Sequence, residues 1–170
     1  MKRIAFLLLA IFAIMLSGCK KDDGTNGGTT EIWDISPVTV SVTATDAQGN
    51  DLLNPQPPGA LEVSKIKALY KGEEYACDEK LAASKAVLPR FYGLKTEKSV
   101  LGTCLLRFGE LEGAQSYTNE SVTIIWPDGS SDQISFNRDF RWKANGDPEI
   151  KEKWFLNGSE VSGKLVKIIK

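Results

Sequence analysis

Histidine is absent from this 170-residue chain. Its absence removes Ser-His-Asp triads, Cys-His dyads and every zinc site that needs imidazole. Cysteine is scarce: Cys19, Cys77 and Cys104 are too few and too far apart for a four-cysteine metal centre. No Walker loop and no dinucleotide fingerprint occurs. No apolar run is long enough to span a bilayer, because Ile4 to Leu16 is only 13 residues and a spanning helix needs about 20. Charge of one sign is not in excess either, with 21 Lys and Arg against 22 Asp and Glu. There is no basic stripe for nucleic acid and no polybasic patch for anionic lipid.

What is present begins with Met1-Lys2-Arg3, a short basic segment ahead of the apolar run. A 13-residue run with no polar face suits the core of a secretory signal peptide better than a buried amphipathic helix. Leu16-Ser17-Gly18-Cys19 closes it and resembles the lipobox of bacterial lipoproteins. The resemblance implies a diacylglyceryl group on the Cys19 thiol and cleavage between Gly18 and Cys19, so that residues 1–18 are the signal peptide. One acyl chain holds a protein marginally and two or three hold it stably. The membrane is therefore an expected partner, through lipid.

The next residues, Lys20-Lys21-Asp22-Asp23-Gly24, resemble the export signal of Bacteroidota-type surface lipoproteins. That implies the outer leaflet of the outer membrane, with the periplasmic face as the alternative. Gly24 to Thr30 has nothing to bury. Lys20 to Thr30 reads as a flexible tether with an r.m.s. reach of about 17–20 Å. Residues 19–30 are thus lipidated cysteine and tether, and residues 31–170 are one domain. Without Lys2 and Arg3, 19 basic residues face 22 acidic ones, a net charge of −3.

Within the domain the clearest period is two. Val38, Val40, Val42 and Ala44 alternate with Thr39, Ser41, Thr43 and Thr45, as a half-buried strand requires. Lys65–Tyr70 and Glu74–Cys77 around Lys71-Gly72-Glu73 predict a hairpin with Tyr70 and Tyr75 as a cross-strand pair. Lys80–Leu88 predicts a helical turn or irregular stretch, and Pro89–Lys95 a loop carrying Phe91 and Tyr92. Thr103–Phe108 reads as a strand and Glu110–Ala114 as a turn. Ser121–Trp126, the Asp128-Gly129 turn and Asp132–Phe136 make the strongest hairpin signal. Lys153–Leu156, Asn157-Gly158 and Val161–Ile169 suggest a closing hairpin with a solvent-facing last strand. The pattern predicts an all-β fold: an antiparallel β-sandwich of seven or eight strands, immunoglobulin-like in the loose sense. The segment Trp126-Pro127-Asp128-Gly129-Ser130 resembles the Trp-containing turn of PKD-type sandwich modules, which implies the same fold class.

Two states fit Cys77 and Cys104: a disulfide, permitted outside the cytoplasm, or two buried thiols. Ser64-Lys65 and Ser84-Lys85 are adjacent pairs, which strand geometry turns to opposite faces. Glu110 with Glu112, and Asp128 with Asp132, are carboxylate pairs by number, but each falls in a predicted turn. Asp46, Asn50 and Asp51 resemble a loose oxygen cluster without the spacing of a calcium loop, so turn chemistry is the expectation. No catalytic residue, metal or cofactor is expected. Of Trp33, Trp126, Trp142 and Trp154, the second and fourth lie in strand patterns and read as core. Trp142, in Arg141-Trp142-Lys143, is the candidate ligand contact. The chain reads as a non-catalytic binding or accessory module for glycan or protein at the cell surface. An adhesion or assembly component is the alternative, and an enzyme acting on surface polymers a further one.

Overall fold

A computed structural model describes residues 33–77 and 93–170. Gly18, Cys19, the tether, the Lys80–Leu88 segment with Ser84-Lys85, and Phe91 and Tyr92 lie outside the described residues. Ten strands follow in order: β1 (Val38–Thr45), β2 (Lys67–Tyr70), β3 (Glu73–Ala76), β4 (Leu94–Lys98), β5 (Cys104–Leu111), β6 (Tyr117–Ile125), β7 (Ser131–Trp142), β8 (Pro148–Leu156), β9 (Ser159–Val161) and β10 (Leu165–Ile169). They form a four-stranded sheet, β10-β1-β5-β4, and a six-stranded sheet, β3-β2-β6-β7-β8-β9. The all-β sandwich expected from the sequence is what forms, with more strands than the seven or eight anticipated.

The inward residues of the two sheets make one core. Val38, Val40, Val42 and Ala44 of β1 are buried, with Leu106, Phe108 and Leu111 of β5 and Val166 and Ile168 of β10. Ala68, Val122, Ile124, Ile134, Phe136 and Trp154 face them from the six-stranded sheet. Phe108 joins the layers, packing against Tyr70 at 5.2 Å and Tyr75 at 5.3 Å between ring centroids. Tyr75 pairs directly with Ala68, so the two tyrosines are diagonal neighbours that meet through Phe108.

Turn chemistry sets the register. Lys71-Gly72 and Asn157-Gly158 both have positive φ at both positions, the two-residue turn whose twist matches a hairpin. Four other turns share one form. In each, the first residue's N–H donates to the carbonyl of the fifth, and a glycine at the fourth position donates back. They are Asp46–Asn50, Ser99–Thr103, Trp126–Ser130 and Lys143–Asp147. The glycine at a positive φ of 82–88° is the bulge residue that a three-residue loop requires.

Several boundaries differ from the sequence reading. Glu110 and Leu111 continue β5 rather than starting a turn. Leu94–Lys98 is an edge strand and not the end of a loop. β7 runs six residues past Phe136. The closing segment divides at Ser162-Gly163-Lys164, so that β9 stays with β8 while β10 crosses to the other sheet. There β10 pairs parallel with β1, through contacts such as Val42 with Val166. Ser64 and Lys65 sit on a single 3-10 turn, Val63–Lys65, with Lys65 paired to Glu62. No disulfide joins Cys77 and Cys104. Cys77 bridges to Leu94, whereas Cys104 pairs with Lys98 at the other end of β4. Four residue steps along β4 separate those points, about 13 Å, well beyond the Cα span of a disulfide.

Candidate binding surfaces at the two ends of the sandwich

One end is built around the entry of the chain into β1. Val38 pairs with Leu111, and the backbone of Ile35 and Ser36 lies so close to Gly113 that a Cβ there would collide with both carbonyl oxygens. The Gly113 carbonyl accepts from Arg138 Nε at 3.0 Å and from its Nη2. Arg138 is buried, with only 2% of its side chain exposed, and its Nη1 pairs with Glu152, 7% exposed. Glu152 also receives Lys164 Nζ at 2.9 Å and Trp154 Nε1 at 3.3 Å. Burial alone pushes the Glu152 carboxyl up; bonding and charge from Lys164, the Trp154 indole and the Arg138 guanidinium outweigh it and hold it below its ordinary range.

Beyond Arg138, among the described residues, β7 has no ladder partner but β8, and the two strands continue as a two-stranded ribbon. Strand alternation carries the core face out along this ribbon. Inside, Phe136 stacks on Trp154 at 4.7 Å; next comes the Arg138–Glu152 pair, then Phe140 opposite Ile150, then Trp142 opposite Pro148. The last two pairs have left the core. Trp142 is 53% exposed and Ile150 41% exposed, and Phe140 meets Trp142 edge-on at 5.3 Å. Ser116 braces the ribbon: its hydroxyl accepts the Phe140 N–H at 3.0 Å. A groove of about 580 Å³ runs from Ile150 past Glu152 and Trp154 to Val161 and Lys164. A second groove of about 460 Å³ is lined by residues that include Tyr117, Asn137, Asp139 and Lys151. The bulge between Tyr117 and Glu120, where Asn119 takes a φ of 50°, borders it.

Turns make up the opposite end. Thr45 closes β1 there, and Lys170 ties the two sheets together. Its N–H donates to the Thr45 carbonyl at 2.8 Å, and its Nζ reaches Ser130 Oγ and the Asp132 carboxylate. The same ammonium lies 4.9 Å from the centroid of the Trp126 ring. Asp132 further accepts Trp126 Nε1 at 2.7 Å and Asn157 Nδ2 at 2.8 Å. Burial raises its carboxyl, and the bonds from Asn157, Lys170 and Trp126 more than reverse that and lower it.

The Ser99–Thr103 turn projects from this end with Val100 at 105% and Leu101 at 93% exposure. The three turns of the same form carry Ala47-Gln48, Pro127-Asp128 and Ala144-Asn145 in those two places. Only this one holds two branched aliphatic side chains, and neither contributes burial to the fold. No motif marks Val100 and Leu101. The signal that finds them is an aliphatic pair ahead of a turn glycine, where polar residues are usual. Phe140, Pro148 and Ile150 are found only through the β7–β8 register.

The other sequence candidates fall into structural roles. Asp46 accepts the Gln48 and Asn50 N–H groups and Asn50 Nδ2, closing its own turn. Asp51 faces away from them to accept the Leu53 and Cys104 N–H groups. Asp128 accepts the Ser130 N–H and hydroxyl, and Ser130 Oγ in turn links it to Lys170 and so to the Asp132 cluster. Glu112 accepts the Ala114 N–H, while Glu110 lies on β5. Trp126 and Trp154 are in the core, and Trp33 is exposed beside the chain entry. Among the described residues no group of three or more acidic or cysteine side chains is placed to hold a metal ion, and no helix is long and apolar enough to cross a membrane. No protein-family model, no curated protein and no solved structure matches this chain.

Proposed function

We propose that this chain is a lipid-anchored, non-catalytic binding module of the outer-membrane surface, which presents the turn end of its sandwich to a protein partner. The lipobox-like segment ending at Cys19 and the Lys-Asp segment after it support the anchor and the surface address. The observation that carries the binding reading is the Val100–Leu101 tip, two aliphatic side chains held in water by a turn that three other positions fill with small or polar residues. Complete burial of one such side chain is worth about 1.5–3 kcal/mol, so the pair suits an apolar socket on another protein. Aliphatic tips offer a sugar neither a stacking face nor a hydrogen bond, and a glycan would fall to Trp142 instead.

The adhesion or assembly reading draws on β10, an edge strand with Leu165 and Ile169 directed outward. Lys167 lies between them and opposes pairing of this edge with a second copy centred there. An enzyme would need a cleft with carboxylates raised toward neutrality, whereas the part-buried Asp132 and Glu152 are lowered and engaged by Lys170, Trp126, Asn157, Lys164 and Arg138.

Protease shaving of intact cells, with Cys19→Ala as control, tests the location. Loss of the domain from intact cells is expected. Survival until the outer membrane is broken would move the protein to the periplasmic face. A photocrosslinking residue at Leu101, compared with one at Gln48 in the equivalent turn, tests the tip. A discrete protein adduct specific to position 101 is expected, and its absence from surface-exposed protein would overturn the binding reading.

A further inference from the structure

We propose that the aromatic ribbon of β7–β8 rests on the bilayer that holds the anchor, with Trp142 and Trp33 at the level of the lipid headgroups. The proposal depends on the lipid-anchor reading above, and adds to it an orientation and a second contact with the membrane.

Three observations carry it. The first is connectivity. The chain enters the domain at Ile35 and Ser36, packed on Gly113, and Gly113 is held by Arg138 at the root of the ribbon. Residues 20–32 separate Cys19 from Trp33, a stretch whose Gly- and Thr-rich composition sets an expected reach of about 18–22 Å. Lipid on Cys19 therefore brings the ribbon end within range of the bilayer. The Val100–Leu101 end lies farther off by the length of β1, about 26 Å.

The second is side-chain chemistry. Phe140, Trp142, Pro148 and Ile150 share one face of the ribbon, and Trp142 and Ile150 are both substantially exposed. An indole has an apolar body and one N–H donor, which suits the boundary between headgroups and acyl chains. Trp33, also exposed, lies where the tether joins.

The third is charge. From Asp139 to Lys151 the ribbon carries Arg141, Lys143 and Lys151 against Asp139, Asp147 and Glu149. Arg141 and Lys151 both pair with Glu149. With no net charge, the ribbon binds through its apolar face, and anionic lipid adds nothing. A polybasic contact would behave in the opposite way.

The full lipidated chain is reconstituted into phosphatidylcholine vesicles with and without bromine on the acyl chains, and tryptophan emission is compared. Trp126 and Trp154 are buried, so quenching reports on Trp33 and Trp142. The expected result is bromine quenching that survives high salt, is unchanged by added phosphatidylglycerol, is reduced in Trp142→Phe and is lost when Trp33→Phe is added to it. Ile150→Ser, a change at an exposed position, also weakens it. Equal emission from both kinds of vesicle, while the protein still floats with lipid and Cys19 is acylated, overturns the ribbon contact and leaves the anchor standing. Absence of acylation at Cys19 overturns both. Quenching abolished by salt overturns the apolar mode. Protection of Trp142 from iodide by a soluble glycan, without bromine quenching, assigns the face to sugar and overturns the proposal.

Discussion

Replacing Glu152 with alanine leaves the Arg138 guanidinium buried without its counter-charge. Two of its donors still reach the Gly113 carbonyl, but no anion remains at Nη1. Lys164 and the Trp154 indole lose the same acceptor. Removing one member of a buried pair costs about 3–5 kcal/mol, a large share of the roughly 5–15 kcal/mol that holds a domain of this size. With a urea slope of about 2 kcal/mol per molar, the unfolding midpoint falls by roughly 2 M. Arg138→Met with Glu152→Leu removes both charges and offers an apolar pair beside the Phe136–Trp154 stack. Such replacements are often neutral or stabilising, so the double variant recovers most of the loss. Equilibrium urea unfolding followed by tryptophan emission measures both. If Glu152→Ala moves the midpoint by less than about 0.5 M at unchanged slope, or if the double variant is as weak as the single, the pair is not the constraint described here.

Other outcomes follow from the same contacts. Asp132 and Glu152 are both held below their ordinary values of 3.8 and 4.5. Their stabilisation is therefore complete above those values and is lost as pH falls through the lower folded ones, giving acid unfolding below about pH 4; Asp132→Asn flattens this dependence, as circular dichroism against pH will show. Gly113→Ala forces a methyl into the Ile35 and Ser36 carbonyls and lowers stability by about 1–3 kcal/mol, readable as a drop in Tm. Gly158→Ala, at a φ of 82°, costs about 1–2 kcal/mol in the same assay. Because the register holds Cys77 and Cys104 apart, reductant leaves Tm unchanged, and peptide mapping finds no 77–104 crosslink.

Local chemistry made part of this fold legible. The Val-Thr alternation of β1 and the Asp128-Gly129 and Asn157-Gly158 turns state their conformations in a few adjacent residues. The extension of β7 does not. Asn137, Arg138 and Asp139 look like the polar end of a strand, and Arg138 is an inward residue only because Glu152 stands opposite it, fourteen positions away. β4 was hidden for a related reason: it is an edge strand, and only Leu94 of its five residues is fully buried. The crossing of β10 to the other sheet depends on a partner near the start of the domain, which no window on residues 161–169 contains. Trp142 was visible through its charged neighbours, whereas the apolar face it belongs to emerged only with the register.

The parallel pairing of β10 with β1 bears on when this protein can fold. Ser41 meets Leu165 across most of the domain sequence, and until Val166 and Ile168 arrive β1 has an open flank and an incomplete core. Contacts so distant along the chain make folding slow. A nascent chain emerging from the ribosome thus lacks its closing strand until synthesis of the domain is nearly finished. On the export reading proposed above, the same delay would favour passage through a translocation channel, because a chain without its closing strand stays extended for longer.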